Sequence, residues 1–189
     1  MKKNIVIFAS GSGSNAENII NYFSDKNIAE ILLVLSNNND AFVLKRANKF
    51  KIKSYVFDKK DLNNNFISNL LLSYSIDYII LAGFLLMIPE KLINQYPNRI
   101  INIHPALLPK FGGKGMYGDN VHKKVLEQNE KDSGITIHFV NNKYDEGQII
   151  FQAKCEIVNN ETTESLANKI HKLEHEFFPK IIENIILKY

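Results

Sequence analysis

Asn4-Ile5-Val6-Ile7-Phe8-Ala9-Ser10-Gly11-Ser12-Gly13-Ser14-Asn15 is the stretch whose reading decides the fold. Its first half is a continuous apolar run of the kind buried on both faces of a parallel sheet. A glycine-serine turn follows at once, and then a helical pattern with Ile19, Ile20 and Phe23 on one face. Strand, glycine turn and helix start make a cradle for an anion: glycines let backbone amides approach, and the helix amino terminus adds partial positive charge. The Walker lysine is missing, as is the third glycine of the dinucleotide fingerprint, so a monophosphate fits better than a pyrophosphate. A plain tight turn is the competing reading.

Working outward, the alternation of strands and helices repeats. Ile31 to Leu35 reads as a second strand, followed by a polar turn and a helix carrying Phe42, Leu44 and Ala47. Lys53 to Phe57 is a third strand, the Leu62 to Tyr74 region a third helix, and Tyr78 to Ala82 a fourth strand ending at Gly83. Such alternation implies right-handed parallel crossovers, hence an α/β fold with a doubly wound, mostly parallel sheet. Gly134 to Val140 and Gln148 to Ile157, joined by a polar turn, form an antiparallel C-terminal extension. A final helix runs from Thr163 towards Leu187, interrupted at Pro179, with Ile170, Leu173, Phe177 and Phe178 as its buried stripe and Glu174 and His175 beside it.

The chemistry is concentrated in Ile100-Ile101-Asn102-Ile103-His104-Pro105. This short apolar strand precedes a proline that keeps His104 extended, so Asn102 and His104 emerge on one side at the carboxyl end, where open α/β sheets bind ligands. An amide and an imidazole so placed can donate to an oxygen that gains charge, which points to acyl transfer. A capped strand end is the bland alternative. Phe84 to Pro89 is unusually apolar for a loop and reads as core packing or as a slot for a flat heterocycle. Phe111 to Asp119 carries four glycines in nine residues and reads as a mobile loop able to cover the site. His138, mid-strand, reads as a structural histidine.

Composition fits this picture. The chain of 189 residues supports one domain, and 45% hydrophobic with 23% charged content is globular. Lysines and arginines exceed acids by 23 to 20, a formal charge of +3, and the lysines are scattered. That suits anionic small molecules rather than nucleic acid. Met1-Lys2-Lys3 leads directly into a strand without a cleavable signal, no run reaches membrane-spanning length, and Cys155 stands alone, so a cytoplasmic protein with no membrane association is expected.

Gly11-Ser12-Gly13-Ser14-Asn15, Leu81-Ala82-Gly83-Phe84, Asn102 to Lys110, Asp145-Glu146-Gly147 and Leu173-Glu174-His175, in this order and spacing, resemble the phosphoribosylglycinamide formyltransferases over essentially the whole length. The resemblance implies one Rossmann-like formyltransferase domain over 1–189, a monomer or homodimer, that formylates glycinamide ribonucleotide in purine synthesis with 10-formyltetrahydrofolate as co-substrate. It implies that Gly13, Ser14 and Asn15 hold the substrate phosphate, and that Glu174, with His171 in the same His171-Lys172-Leu173-Glu174 run, meets the ribose. Leu85, Leu86, Met87 and Ile88, together with Asn141, Asn142, Lys143, Tyr144 and Asp145, would line the folate, with Asn102 reaching it and Lys60 near it. Family members often carry a basic residue where this chain has Leu86, which leaves backbone contacts there.

Asn102, protonated His104 and Asp145 are the expected catalytic set, with the carboxylate raising the histidine's pKa. The reaction requires no metal, and no Cys/His cluster suggests one. A methionyl-tRNA formyltransferase catalytic domain would resemble a longer chain with a tRNA-binding domain. A non-catalytic nucleotide-binding module would account for the glycine turn but not for Asn102, His104 and Asp145.

Overall fold

The computed structural model describes residues 2 to 188, so Met1 and Tyr189, the ends of the expected 1–189 domain, lie outside the described residues. Seven strands form one sheet in the order β3-β2-β1-β4-β5-β6-β7. They are β1 (Lys3–Phe8), β2 (Ala29–Ser36), β3 (Lys53–Val56), β4 (Tyr78–Leu81), β5 (Ile100–His104), β6 (Asp132–Phe139) and β7 (Ile149–Glu156). The first five are parallel, and β6 and β7 are antiparallel to their neighbours. The expected doubly wound sheet with an antiparallel extension is what the chain forms.

Strand alternation divides the core into two layers. Ile5 and Ile7 face one side and Val6 and Phe8 the other, all fully buried. On the first side lie α1 (Ser14–Phe23), α2 (Phe42–Lys49), α6 (Asp119–Glu127) and α7 (Thr163–Lys188). On the second lie α3 (Lys59–Asn63), α4 (Asn65–Ser73) and α5 (Glu90–Gln95). The strand order reverses between β1 and β4, so the loops after these two strands open a crevice at the carboxyl edge.

Four local expectations are revised. The third helix is two, because Asn64 is extended (φ −91°, ψ −165°) and caps α4 by accepting from the Phe66 N–H at 2.6 Å. Asp58 caps α3 in the same manner through a capping box. In α2 it is Val43, not Phe42, that packs inward: Val43 is fully buried and Phe42 is 49% exposed. Pro179 does not interrupt α7, which runs unbroken through it. The missing proline N–H would have bonded the His175 carbonyl, one turn earlier, and that carbonyl instead accepts from Asn18 Nδ2 of α1 at 2.8 Å. Glu174 lies within the buried face of α7 rather than beside it, and Leu173 and Phe177 are only partly buried.

Candidate active site

At the switch point, the turn Ser10 to Gly13 is built mainly from backbone. Gly13 sits at the start of α1 with φ +73°, and a Cβ there would lie 2.4 Å from a Val43 methyl, so glycine is required twice over. No side chain caps α1. Its first N–H groups are therefore available to a ligand. The turn is held from behind: the Gly11 carbonyl accepts from the Val43 N–H at 3.2 Å, and the Ser12 carbonyl from Arg46 Nε at 2.9 Å. Arg46 is in turn paired with Glu17. Ser10 Oγ donates to Asn37 Oδ1 (2.6 Å) and accepts from the Leu85 N–H (3.0 Å), tying the loops after β1, β2 and β4 together.

The opposite wall is built from side chains. The register sets Asn102 of β5 directly across from His138 of β6, and His104 across from Thr136. His138 Nδ1 donates to its neighbour's carbonyl, Phe139 O, at 2.8 Å, so its Nε2 is the acceptor for Asn102 Nδ2 at 3.0 Å. This bond fixes which way the Asn102 amide faces. His104 Nε2 donates to Phe111 O at 2.8 Å, which leaves Nδ1 as the site for a second proton, 3.6 Å from Asp145 Oδ2. Asp145 Oδ1 lies 3.8 Å from His138 Nε2, and its Oδ2 accepts from the Gly113 N–H at 2.9 Å.

Turn chemistry delivers Asp145 to this point. Asp145 adopts a left-handed φ of +55°, a conformation aspartate tolerates better than most residues. Two residues on, a Cβ on Gly147 would lie 1.6 Å from Phe139 O, so only glycine lets the turn close on β6. Behind His104, Thr136 Oγ1 donates to Ala106 O (2.7 Å) and accepts from the Leu108 N–H (3.0 Å) and from Gln152 Nε2 (2.8 Å). That buried network fixes the segment leaving β5.

Burial outweighs the carboxylate at His104. Loss of solvent lowers its pKa, Asp145 and the Phe111 carbonyl oppose the shift, and the net direction is down from 6.5. His138 is lowered for the same first reason. The sequence leads one to expect Asp145 to keep His104 charged; in the structure burial outweighs the carboxylate and favours the neutral imidazole. Glu174, also buried, has its pKa raised by desolvation against the opposing hydrogen bond from Asn15 Nδ2 at 2.8 Å.

Backbone turn and side-chain wall enclose one cavity of about 630 Å³. It brings together Gly13, Ser14, Asn15, His171 and Glu174 with Asn102, His104 and Asp145. Leu85 and Tyr144 also line it, as does the glycine loop from Gly113 to Gly118. Leu86 packs on the second core layer, Ile88 is 2% exposed within it, and neither they, Met87, Lys60, Asn141, Asn142 nor Lys143 line the cavity. Asn141 instead shapes the turn, accepting from the Lys143 N–H and donating to Glu146 O. His138 is the satisfied structural histidine that its mid-strand position suggests: it is buried, bonded at both nitrogens, and supports Asn102 from behind without lining the cavity.

Residues 3–182 match the formyl transferase family profile. The chloroplastic phosphoribosylglycinamide formyltransferase of Arabidopsis thaliana is 39% identical over 188 residues, which are 96% of this chain and 64% of that protein, so the chain spans just under two thirds of this relative. The Bacillus subtilis phosphoribosylglycinamide formyltransferase is 36% identical over 97% of this chain and 95% of its own length. A crystal structure of phosphoribosylglycinamide formyltransferase from Anaplasma phagocytophilum aligns with a TM-score of 0.90 at 34% identity, over 100% of this chain and 89% of that one. On matches of this extent to both sequence and fold, the chain belongs to the formyl transferase family.

Proposed function

We propose that this protein transfers a formyl group from 10-formyltetrahydrofolate to the amine of glycinamide ribonucleotide. The observation that carries the reading is one cavity joining an open helix amino terminus, suited to a phosphate, to an Asn-His-Asp cluster suited to acyl transfer. The folate supplies the formyl carbon. A mixed wall fits its flat ring: Leu85 and Tyr144 give apolar surface, and the cavity volume is within the range of sites for molecules of that size. From the loop after β4, Phe84 and Leu85 line this slot.

Gly13, Ser14 and Asn15 hold the substrate phosphate through backbone N–H groups, and Glu174 and His171 meet the ribose. As the substrate amine adds to the formyl carbon, charge builds on the formyl oxygen, and the Asn102 amide donates to it from a position already fixed by His138. One proton must leave the amine and one must reach the departing nitrogen. Neutral His104 accepts the first at Nδ1, the resulting imidazolium is stabilised by Asp145, and the same proton is then returned to the leaving group. The imidazolium can also donate to the developing oxyanion. Among the described residues no helix is long and apolar enough to cross a membrane.

A spectrophotometric assay of folate product tests the reading. Turnover with glycinamide ribonucleotide is expected. Turnover with charged initiator tRNA but not with the ribonucleotide would transfer the protein to the tRNA reading, and ligand binding without turnover would favour a non-catalytic module.

A further inference from the structure

His122, on α6, lines the same cavity as His104, His171 and Glu174. It is 3% exposed, its Nδ1 is sealed from solvent without a hydrogen-bond partner, and no side-chain hydrogen bond to either ring nitrogen is present among the described residues. A buried imidazole left unpaired in this way is a standing cost unless something else satisfies it. The other buried side-chain atom without a partner in this cavity is Asn15 Oδ1, on the wall that holds Glu174. Two residues that line one cavity thus each keep a sealed polar atom without a partner, while the hydrogen-bonded His138 and His104 show that the fold satisfies its other buried imidazoles in this region.

The surroundings define what His122 can bind. Burial first, and then His171, lower its pKa; Asp119, one turn earlier on α6, opposes them, and His104 adds to the lowering. A neutral imidazole carries one donor and one acceptor and suits hydroxyl and amide groups better than a phosphate. Its electrostatic neighbours are the catalytic His104 on one hand and His171, on the ribose side, on the other. We infer that His122 is a substrate-positioning residue that hydrogen-bonds the sugar-linked amide segment of the acceptor, between its reacting amine and its ribose. The inference rests on the proposed acceptor and names a contact that neither the glycine turn nor the Asn-His-Asp cluster supplies.

Replacing His122 by phenylalanine keeps a ring and removes both nitrogens, and replacing it by glutamine returns a donor and an acceptor. For H122F the KM for glycinamide ribonucleotide should rise roughly five- to tenfold, as for loss of one neutral hydrogen bond. Its kcat and the KM for the folate should stay within about twofold, and its Tm should be unchanged or higher, because an unsatisfied buried group has been removed. H122Q should recover part of the lost affinity, and calorimetric binding of the ribonucleotide should follow the same order. An unchanged ribonucleotide KM in H122F would overturn the inference, as would a lowered Tm with both KM values rising together, the signature of a structural histidine. Absence of turnover and binding in the unsubstituted protein would remove the acceptor reading itself, and this inference with it.

Discussion

The two walls of the cavity are made of different material. The phosphate wall is backbone: a glycine turn between β1 and α1, pinned by hydrogen bonds from α2, with the open end of a helix as its charge. The chemical wall is side chain: four groups from β5, β6 and the turn after β6, each oriented by another. The first lies in the parallel part of the sheet and the second spans the seam where the sheet turns antiparallel. A backbone wall tolerates side-chain change and fails when the chain path changes. A side-chain wall keeps its shape but loses function one atom at a time.

The largest expected effects come from the chemical wall. Alanine at Asn102 or His104 should lower kcat by roughly two to three orders of magnitude, in the range of single oxyanion donors, with a much smaller change in ribonucleotide KM. Steady-state kinetics on both variants would check this, and a KM-dominated loss would erase the distinction between the walls. Asp145→Asn should cost less at the plateau, about tenfold, or about 1.4 kcal/mol of barrier. It also removes the carboxylate that opposes burial at His104, so the histidine's pKa falls further and the acid limb of the kcat/KM profile should move to lower pH. An unmoved limb would take Asp145 out of the proton path.

On the phosphate wall, Gly13→Ala should do the reverse. The positive φ and the Val43 contact both oppose a Cβ. The variant should raise ribonucleotide KM at least about tenfold, spare kcat, and lose about 1–2 kcal/mol of stability to the left-handed conformation alone. Kinetics and thermal melts on the same sample would separate the two effects.

The smallest effect is on stability against pH. His104, His122 and His138 are all shifted below 6.5, chiefly by burial. The unfolded chain therefore binds more protons than the folded one just below that value, and stability present above pH 6.5 is lost as pH falls through it. Glu174, shifted upward, acts in the opposite sense above its ordinary 4.5 but is one group against three. Calorimetry should show Tm falling by at least about 3 °C between pH 7 and 5.5, the shift of about 1 kcal/mol in a chain of this size. A flat Tm would mean that these imidazoles are not held neutral.

The contrast between the walls also explains how much could be read beforehand. Strand, glycine turn and helix are consecutive, so the phosphate wall, the sheet and its antiparallel extension were legible from local pattern. Asn102 and His104 announced themselves by standing two apart at the end of an apolar strand. That His138 is structural is legible from its place in the strand; its partner, Asn102, is not, because only the β5–β6 register supplies it. The balance at His104 is not legible in the sequence, which shows the carboxylate but not the depth of burial that opposes it. Pro179 was read as a helix break because the compensating donor, Asn18, is far away in the chain.

The division of labour between the walls can be measured with one substrate pair, glycinamide ribonucleotide and its 5′-dephosphorylated form, on the unsubstituted protein, Gly13→Ala and Asn102→Ala. Loss of hydrogen bonds to a charged group costs about 1.5–3 kcal/mol, so removing the phosphate should lower kcat/KM by roughly one to two orders of magnitude in the unsubstituted protein. The same factor should be found in Asn102→Ala, and most of it should vanish in Gly13→Ala. Equal kcat/KM for both substrates in the unsubstituted protein, or a phosphate factor that collapses in Asn102→Ala and survives in Gly13→Ala, would contradict the account.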